Sequence, residues 1–285
     1  MTTPPSAAEL QAVLLARDFR ADDQVVQVGA NLPAARAAAM LANLTTHPDL
    51  RLVFGVEIDN LAGSGAVPPV PPFLFHALGH DRGEAAMHQS TLFDDMSKPD
   101  VFFVGGIEVD RVGNVNLMGI PRPDGGWKVR GPGPVALPTM STFCRGYYIL
   151  MGRHDTRTFV ERVSCITALG DRTRRAALRL PGGGPRLLLS PLGVFDFAED
   201  GAMRLRSVNP GVQVADVQAA TGFELVIPGD VPTTASPSDE ELRVLREIVD
   251  PDGILAGPAP GSGRTLPGGV TAAAVRAANH VKGQV

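Results

Sequence analysis

Three short apolar runs in this sequence each end on glycine: Val25-Val26-Gln27-Val28 on Gly29, Arg51-Leu52-Val53-Phe54 on Gly55, and Val101-Phe102-Phe103-Val104 on the pair Gly105-Gly106. Runs of this kind predict strands, and a glycine just past a strand lets a ligand approach backbone groups that a side chain would screen. Gly29, Gly55 and Gly105 are therefore candidate binding positions. Other chemistries lack their residues. Neither a GxGxxG nor a GxxxxGK[ST] loop is present to cradle phosphates, and no GxSxG elbow or HExxH pair occurs. His76, His80 and His88 have no carboxylates at matching intervals and read as surface or capping groups. Cys144 and Cys165 sit in no CxxC or Cys/His cluster, so a structural zinc site and a disulfide framework both lack ligands.

The elements that must position the glycines follow from local signals. Ser6 and Glu9 have capping-box spacing ahead of Leu10, Val13, Leu14 and Phe19, which predicts an opening helix. After the first strand, Pro33 starts an alanine-rich helix running to Leu44. Strands ending in glycine, separated by such a helix, predict an α/β fold with a mainly parallel, covered sheet, whose ligands sit beyond the strands' carboxyl ends.

Leu61 to Pro72 is too rich in Gly and Pro for a regular element and reads as a long surface loop. Asp171 to Pro185 carries the basic run Arg172-Thr173-Arg174-Arg175 and the glycines Gly182-Gly183-Gly184, and reads as an exposed, solvated excursion. Leu187–Ser190, Val194–Phe197 and Met203–Ser207 predict an antiparallel addition to the sheet, and Val212–Thr221 a short helix. A second capping box, Ser238 and Glu241, precedes Leu242, Leu245, Ile248 and Val249 on one predicted helical face. One domain over 1–254 and a flexible tail over 255–285 are expected.

With 285 residues and 44% apolar composition the chain can bury a sizeable core. A net charge of −4 in mixed order offers no basic stripe, so nucleic acid is not an expected partner. No run of apolar residues is long enough to span a bilayer and no export signal opens the sequence; the expected setting is the cytoplasm, with no membrane association.

The block from Gly105 to Asn116, GGIEVDRVGNVN, reads physically as a hairpin around Gly113-Asn114. It is also similar to the segment of glutaconate-type CoA-transferase β subunits, where a glycine pair, an aspartate and a G-N-x-N run have this spacing. The resemblance extends in order through VVQVGANLP, Gly131-Pro132-Gly133, Leu192-Gly193-Val194-Phe195-Asp196-Phe197, Thr221-Gly222-Phe223 and Ile248-Val249-Asp250-Pro251. It implies the family's Rossmann-like α/β/α fold, an α-type partner subunit in a heterodimer or α2β2 assembly, an acyl-CoA substrate, and no tightly bound cofactor.

The resemblance also says where to look for catalysis. A transferase of this family attacks its thioester with a glutamate carboxylate, and the slot after Pro48-Asp49 that would hold it is occupied here by Gly55. Glu57 is the nearest carboxylate, with a polar turn residue as its alternative reading. Relatives that lack the glutamate hydrolyse or cleave acyl-CoA derivatives, so hydrolysis or C–C cleavage is expected here, with CoA transfer through Glu57 and a non-catalytic CoA-binding subunit as the alternatives. Gly131 and Gly133 match the oxyanion-side loop, although Pro132 and Pro134 remove two donors from it. His154, in Arg153-His154-Asp155, matches a histidine of some relatives, as a general base or as a strand-end residue satisfied by its surroundings. Gly29, Gly105, Gly106, Gly131 and Gly133 would thus contact CoA or the oxyanion, with Arg130 or the partner facing its phosphates.

Overall fold

Residues 3–29, 32–54, 58–60, 85–86, 99–134, 136–256, 265–266 and 270–271 are described by the computed structural model of this chain. Helix α1 (Ala7–Asp18) opens on the expected capping box: Ser6 Oγ accepts the Glu9 N–H at 3.1 Å while Glu9 accepts the Ser6 N–H at 2.7 Å. Strand β1 (Val25–Val28) leads into α2 (Pro33–Thr45), which has proline in its first turn. The alanines of α2, buried at positions 34, 35, 37, 38, 39 and 42, allow its close packing against α1.

Strands β2 (Arg51–Phe54), β3 (Ile58–Asn60), β4 (Ala85–Ala86) and β5 (Val101–Gly105) follow. The hairpin of β6 (Glu108–Asp110) and β7 (Val115–Asn116) comes next, then a ribbon of β8 (Gly119–Pro121) and β9 (Trp127–Arg130). Helix α3 (Leu137–Phe143) precedes β10 (Gly146–Leu150), β11 (Phe159–Val160) and a short helix, α4 (Arg172–Ala177). The chain continues through β12 (Pro185–Leu189), β13 (Gly193–Phe197), β14 (Met203–Val208), α5 (Val214–Ala220) and α6 (Asp239–Val244), which runs into one π-helical turn at Leu245–Val249.

Among the described residues, nine strands form one sheet in the order β14-β13-β12-β10-β5-β1-β2-β3-β4. Strands β12, β10, β5, β1 and β2 run parallel, with β13 and β14 antiparallel on one side and β3 and β4 on the other. The mainly parallel α/β sheet with an antiparallel addition is as expected, except that β12 pairs parallel to β10 and the antiparallel part begins only at β13.

Alternation along the central strands shows that both faces are covered. Val101 and Phe103 of β5 and Tyr148 of β10 pack with α1, α2 and the π turn, while Phe102, Val104, Tyr147 and Ile149 pack on the opposite side. Leu137 and Met140 of α3, Val217 of α5 and the small sheet β11-β6-β7 fill that second side. Burying each large side chain on either face contributes roughly 1.5–3 kcal/mol, which is why these strands read as unbroken apolar runs.

Charge holds the sheet's amino edge. Asp100 accepts the N–H groups of Gln24 and Val25, at 2.8 and 2.9 Å, and aligns the starts of β5 and β1. The buried Asp23 carboxylate accepts two bonds from Arg186, at 2.7 and 2.8 Å, and one from Arg145 at 2.7 Å. Burial would raise its pKa, but Arg186, the Arg20 N–H and Arg145 outweigh that and hold it below the usual value. A separate clasp joins α1 to the closing helix: Arg17 pairs with Glu241, Glu9 with Arg246, and Ser6 Oγ donates to Leu255 C=O at 2.8 Å.

One expectation is refined and one corrected. Asp171–Pro185 is exposed over most of its length, as expected, but it is folded: Asp171 caps α4, and Arg175 is only 5% exposed because backbone carbonyls of Ser141, Leu169 and Gly182 accept its N–H groups. Ile248 is 50% exposed while Leu242, Leu245 and Val249 are buried, because the π turn shifts it off the apolar face. The surface loop expected over 61–72 and His76, His80 and His88 lie outside the described residues. So does most of the expected tail, of which 265–266 and 270–271 form a two-stranded antiparallel pair. No helix among the described residues is long and apolar enough to cross a membrane.

Candidate active-site edge

Three neighbouring parallel strands, β5, β1 and β2, point the same way, so Gly105, Gly29 and the end of β2 at Phe54 come together on one edge. Gly55 and Glu57 lie outside the described residues. A Cβ on Gly29 would meet only the Phe102 ring, at 3.9 Å, and one on Gly105 would make ordinary contacts with Leu32 and the Leu150 carbonyl. Among the described residues, packing demands glycine at neither position. Gly106 is different: its Cβ would collide with Val115 Cγ1 and press on the carbonyls of Asn116 and Glu108 at 3.2 Å. Its N–H forms no hydrogen bond with the described residues, which leaves a donor directly past β5.

The polar residues of the GGIEVDRVGNVN block act as staples. Asn116 donates to Glu108 at 2.6 Å and to the Gly119 carbonyl at 2.9 Å, and its side-chain oxygen accepts the N–H groups of Met118 and Gly119. Ser164 gives the Glu108 carboxylate two further bonds. Asp110 accepts the side-chain amide and backbone N–H of Asn114, both at 3.0 Å, while Asn114 Oδ1 accepts the N–H groups of Gly170 and Asp171. Burial nonetheless raises the Asp110 pKa against those bonds. The hairpin is as the sequence predicts, with Gly113 at positive φ, and its carboxylates are committed to holding the edge in shape.

Gly131 and Gly133 join this scaffold at Leu117-Met118. The Gly131 N–H donates to the Met118 carbonyl at 3.0 Å, and its Cβ would strike the Leu117 carbonyl. The Gly133 N–H donates to the Leu117 carbonyl at 3.3 Å, with a φ of +101°. Both donors are engaged, so polarising a substrate carbonyl from this loop requires exchanging those bonds. Arg130 lies over the Trp127 ring at 5.2 Å.

His154 stands beyond β10 with both nitrogens bonded. Thr221 Oγ1 donates to the Val217 carbonyl at 2.8 Å, so at 3.0 Å it accepts from His154 Nε2–H. His154 Nδ1 then accepts from Ser190 Oγ at 2.8 Å, whose oxygen takes the N–H groups of Leu192 and Gly193. The ring stacks on Phe159 at 3.6 Å and 4°. Burial drives its pKa down to about 4, against a weaker opposing pull from Asp155. This geometry suits a neutral tie between three segments better than a free base. Ser190 and Thr221 carry no sequence signal for that role, because they lie 36 and 67 positions away. Thiolate chemistry is also closed to Cys144, whose thiol burial pushes up to about 12.

Comparison with known proteins places this geometry. No protein-family model matches the chain. It is 30% identical over 259 residues to the β-type chain of 3-oxoadipate CoA-transferase from Pseudomonas knackmussii, covering 85% of this chain and 93% of that one. It is 31% identical over 259 residues to the cholesterol ring-cleaving hydrolase IpdB subunit of Mycobacterium tuberculosis, covering 86% and 94%. The solved decarboxylase AibA/AibB matches with a TM-score of 0.74 at 26% identity, covering 88% of this chain and 97% of that one. Glutaconate CoA-transferase from Acidaminococcus fermentans matches with a TM-score of 0.74 at 25% identity, covering 90% and 98%.

Proposed function

Because this chain belongs to the heteromeric CoA-transferase family as a β-type subunit, we propose that it works with an α-type partner on an acyl-CoA thioester, by hydrolysis or C–C cleavage rather than CoA transfer. The relatives span CoA transfer, ring-cleaving hydrolysis and decarboxylation. What supports the reading is that Gly55, six residues after Pro48-Asp49, stands where the family resemblance puts the transferase glutamate. Without that carboxylate no acyl anhydride or glutamyl thioester forms at this position. In the hydrolytic form, water adds to the thioester carbonyl, the C–S bond breaks, and the departing sulfur takes a proton.

The roles of this chain's residues in the proposal follow from the edge. Gly29 and Gly105 leave room for the thioester, and the Gly106 N–H, unbonded among the described residues, polarises its carbonyl in preference to the engaged donors of Gly131 and Gly133. The proton-transferring group comes from the partner, with His154 as a positioning residue. The substrate's CoA is held as substrate, not as a resident cofactor.

The test is a trap. The co-purified complex is incubated with acyl-CoAs, reduced with borohydride, and the β-type chain examined by mass spectrometry. An unmodified chain together with released acid or shortened acyl product is the expected result. Reduction at Glu57, with CoA appearing on an added carboxylate and both lost in Glu57→Gln, would establish a transferase with a displaced glutamate instead.

A further inference from the structure

The opposite edge of the sheet holds a cavity of about 450 Å³ between the strand starts and the folded segment 170–186. Among the described residues, five guanidinium groups line it, Arg20, Arg145, Arg172, Arg175 and Arg186, and a single carboxylate, Asp196. That carboxylate is taken by Arg204 through two bonds of 2.8 Å. Arg145 and Arg186 are offset by Asp22, Asp23 and Asp100. Arg20, Arg172 and Arg175 have no carboxylate partner among the described residues. Arg175 is the telling one, because it is 5% exposed and its charge is met only by neutral carbonyls: Ser141 and Leu169 on Nη1, at 2.9 and 2.8 Å, and Gly182 on Nη2, at 2.9 Å. Three of its five N–H groups are thereby used. A buried cation without a counter-ion is costly, and a bound anion relieves that cost. Arg186 Nε, also buried, has no hydrogen-bond partner among the described residues. The glycines make the arrangement possible: Gly182 and Gly183 lie against the carbonyls of Cys144 and Arg145, and a Cβ on Gly184 would stand 3.1 Å from Arg175 Nε.

We propose that this cavity binds a phosphorylated small molecule carrying two or more negative charges, with its phosphates held by Arg20, Arg172 and Arg175. Guanidinium forks bind phosphate oxygens through paired charge-assisted hydrogen bonds, and the volume falls within the range that holds a nucleotide-sized ligand. The site is set by β10, β12 and α4, and it shares no residue with the glycine edge.

Calorimetry with inorganic pyrophosphate and with ATP, on the full chain co-purified with its α-type partner at low ionic strength, tests this. Saturable binding of at least one probe is expected. It should persist in saturating CoA and weaken by about tenfold or more in Arg20→Glu/Arg172→Glu. Both altered residues are exposed, so melting temperature and acyl-CoA turnover should stay at the wild-type level. Absence of saturable binding, binding unchanged in the double variant, or displacement of the probe by CoA would each overturn the proposal.

Discussion

Acidification offers the sharpest test of how His154 is used. The unfolded ring titrates near 6.5, whereas burial holds the native ring at about 4. Between those values the unfolded chain binds a proton that the native chain does not, so stability increases with pH across the window and is lost as pH falls from about 6.5 toward about 4. At 1.36 kcal/mol per pKa unit the full span is worth ~3 kcal/mol. Carboxylates titrate in the same range, so the informative quantity is the difference between wild type and His154→Gln, whose amide cannot titrate. Urea unfolding at pH 7 and pH 4 should show the wild-type advantage shrinking by roughly 2–3 kcal/mol. As a neutral tie His154 should also show an Nε2–H tautomer by long-range nitrogen–proton NMR, and His154→Gln should keep turnover in the complex within about tenfold. A stability difference that does not vary with pH, a ring titrating near 6.5, or a loss of about a hundredfold or more in turnover would refute the assignment and restore the general base.

Replacing Asp23 by Asn leaves the buried Arg186 without its charge partner and should cost ~3–5 kcal/mol in urea unfolding at neutral pH. Since the native Asp23 pKa is depressed, its contribution is present above the ordinary carboxylate value and disappears as pH drops through the native one, so wild type and variant should converge in acid. Gly106→Ala, which sets a methyl group against Val115, should lose ~1–3 kcal/mol, whereas Gly29→Ala should keep its melting temperature but lose acyl-CoA binding. Asn114→Ala removes bonds to Asp110, Gly170 and Asp171 together and should destabilise by ~2–4 kcal/mol, read as a lower urea midpoint at unchanged m-value.

What the sequence made legible was local. Capping boxes at Ser6 and Ser238, proline at the start of α2 and apolar runs ending in glycine are signals carried within a few residues, and each has its element. Hidden features depend on distant partners. Arg175 looks solvated inside a basic run because the carbonyls that bury it come from Ser141, Leu169 and Gly182, brought together only by the fold. The direction of β12 is set by its pairing with β10, which its composition does not encode. Gly131 reads as part of a binding loop, yet its missing side chain is already required by contact with the Leu117 carbonyl. The shared edge of β5, β1 and β2 was legible because a parallel sheet has one carboxyl side, where Gly29 and Gly105 stand.

The clasp between α1 and the closing helix constrains the order in which this molecule is completed. Its contacts span 224 residues for Arg17–Glu241, 237 for Glu9–Arg246 and 249 for Ser6–Leu255. A ribosome makes α1 and α2 early, and these can pack as a pair at once, but Glu9 meets its partner Arg246 only after the π turn emerges. Until then the nascent chain carries an ionised group meant for burial beside an open apolar face. Final closure of this core therefore belongs to the interval after the π turn leaves the exit tunnel, when a holding chaperone has the most surface to protect.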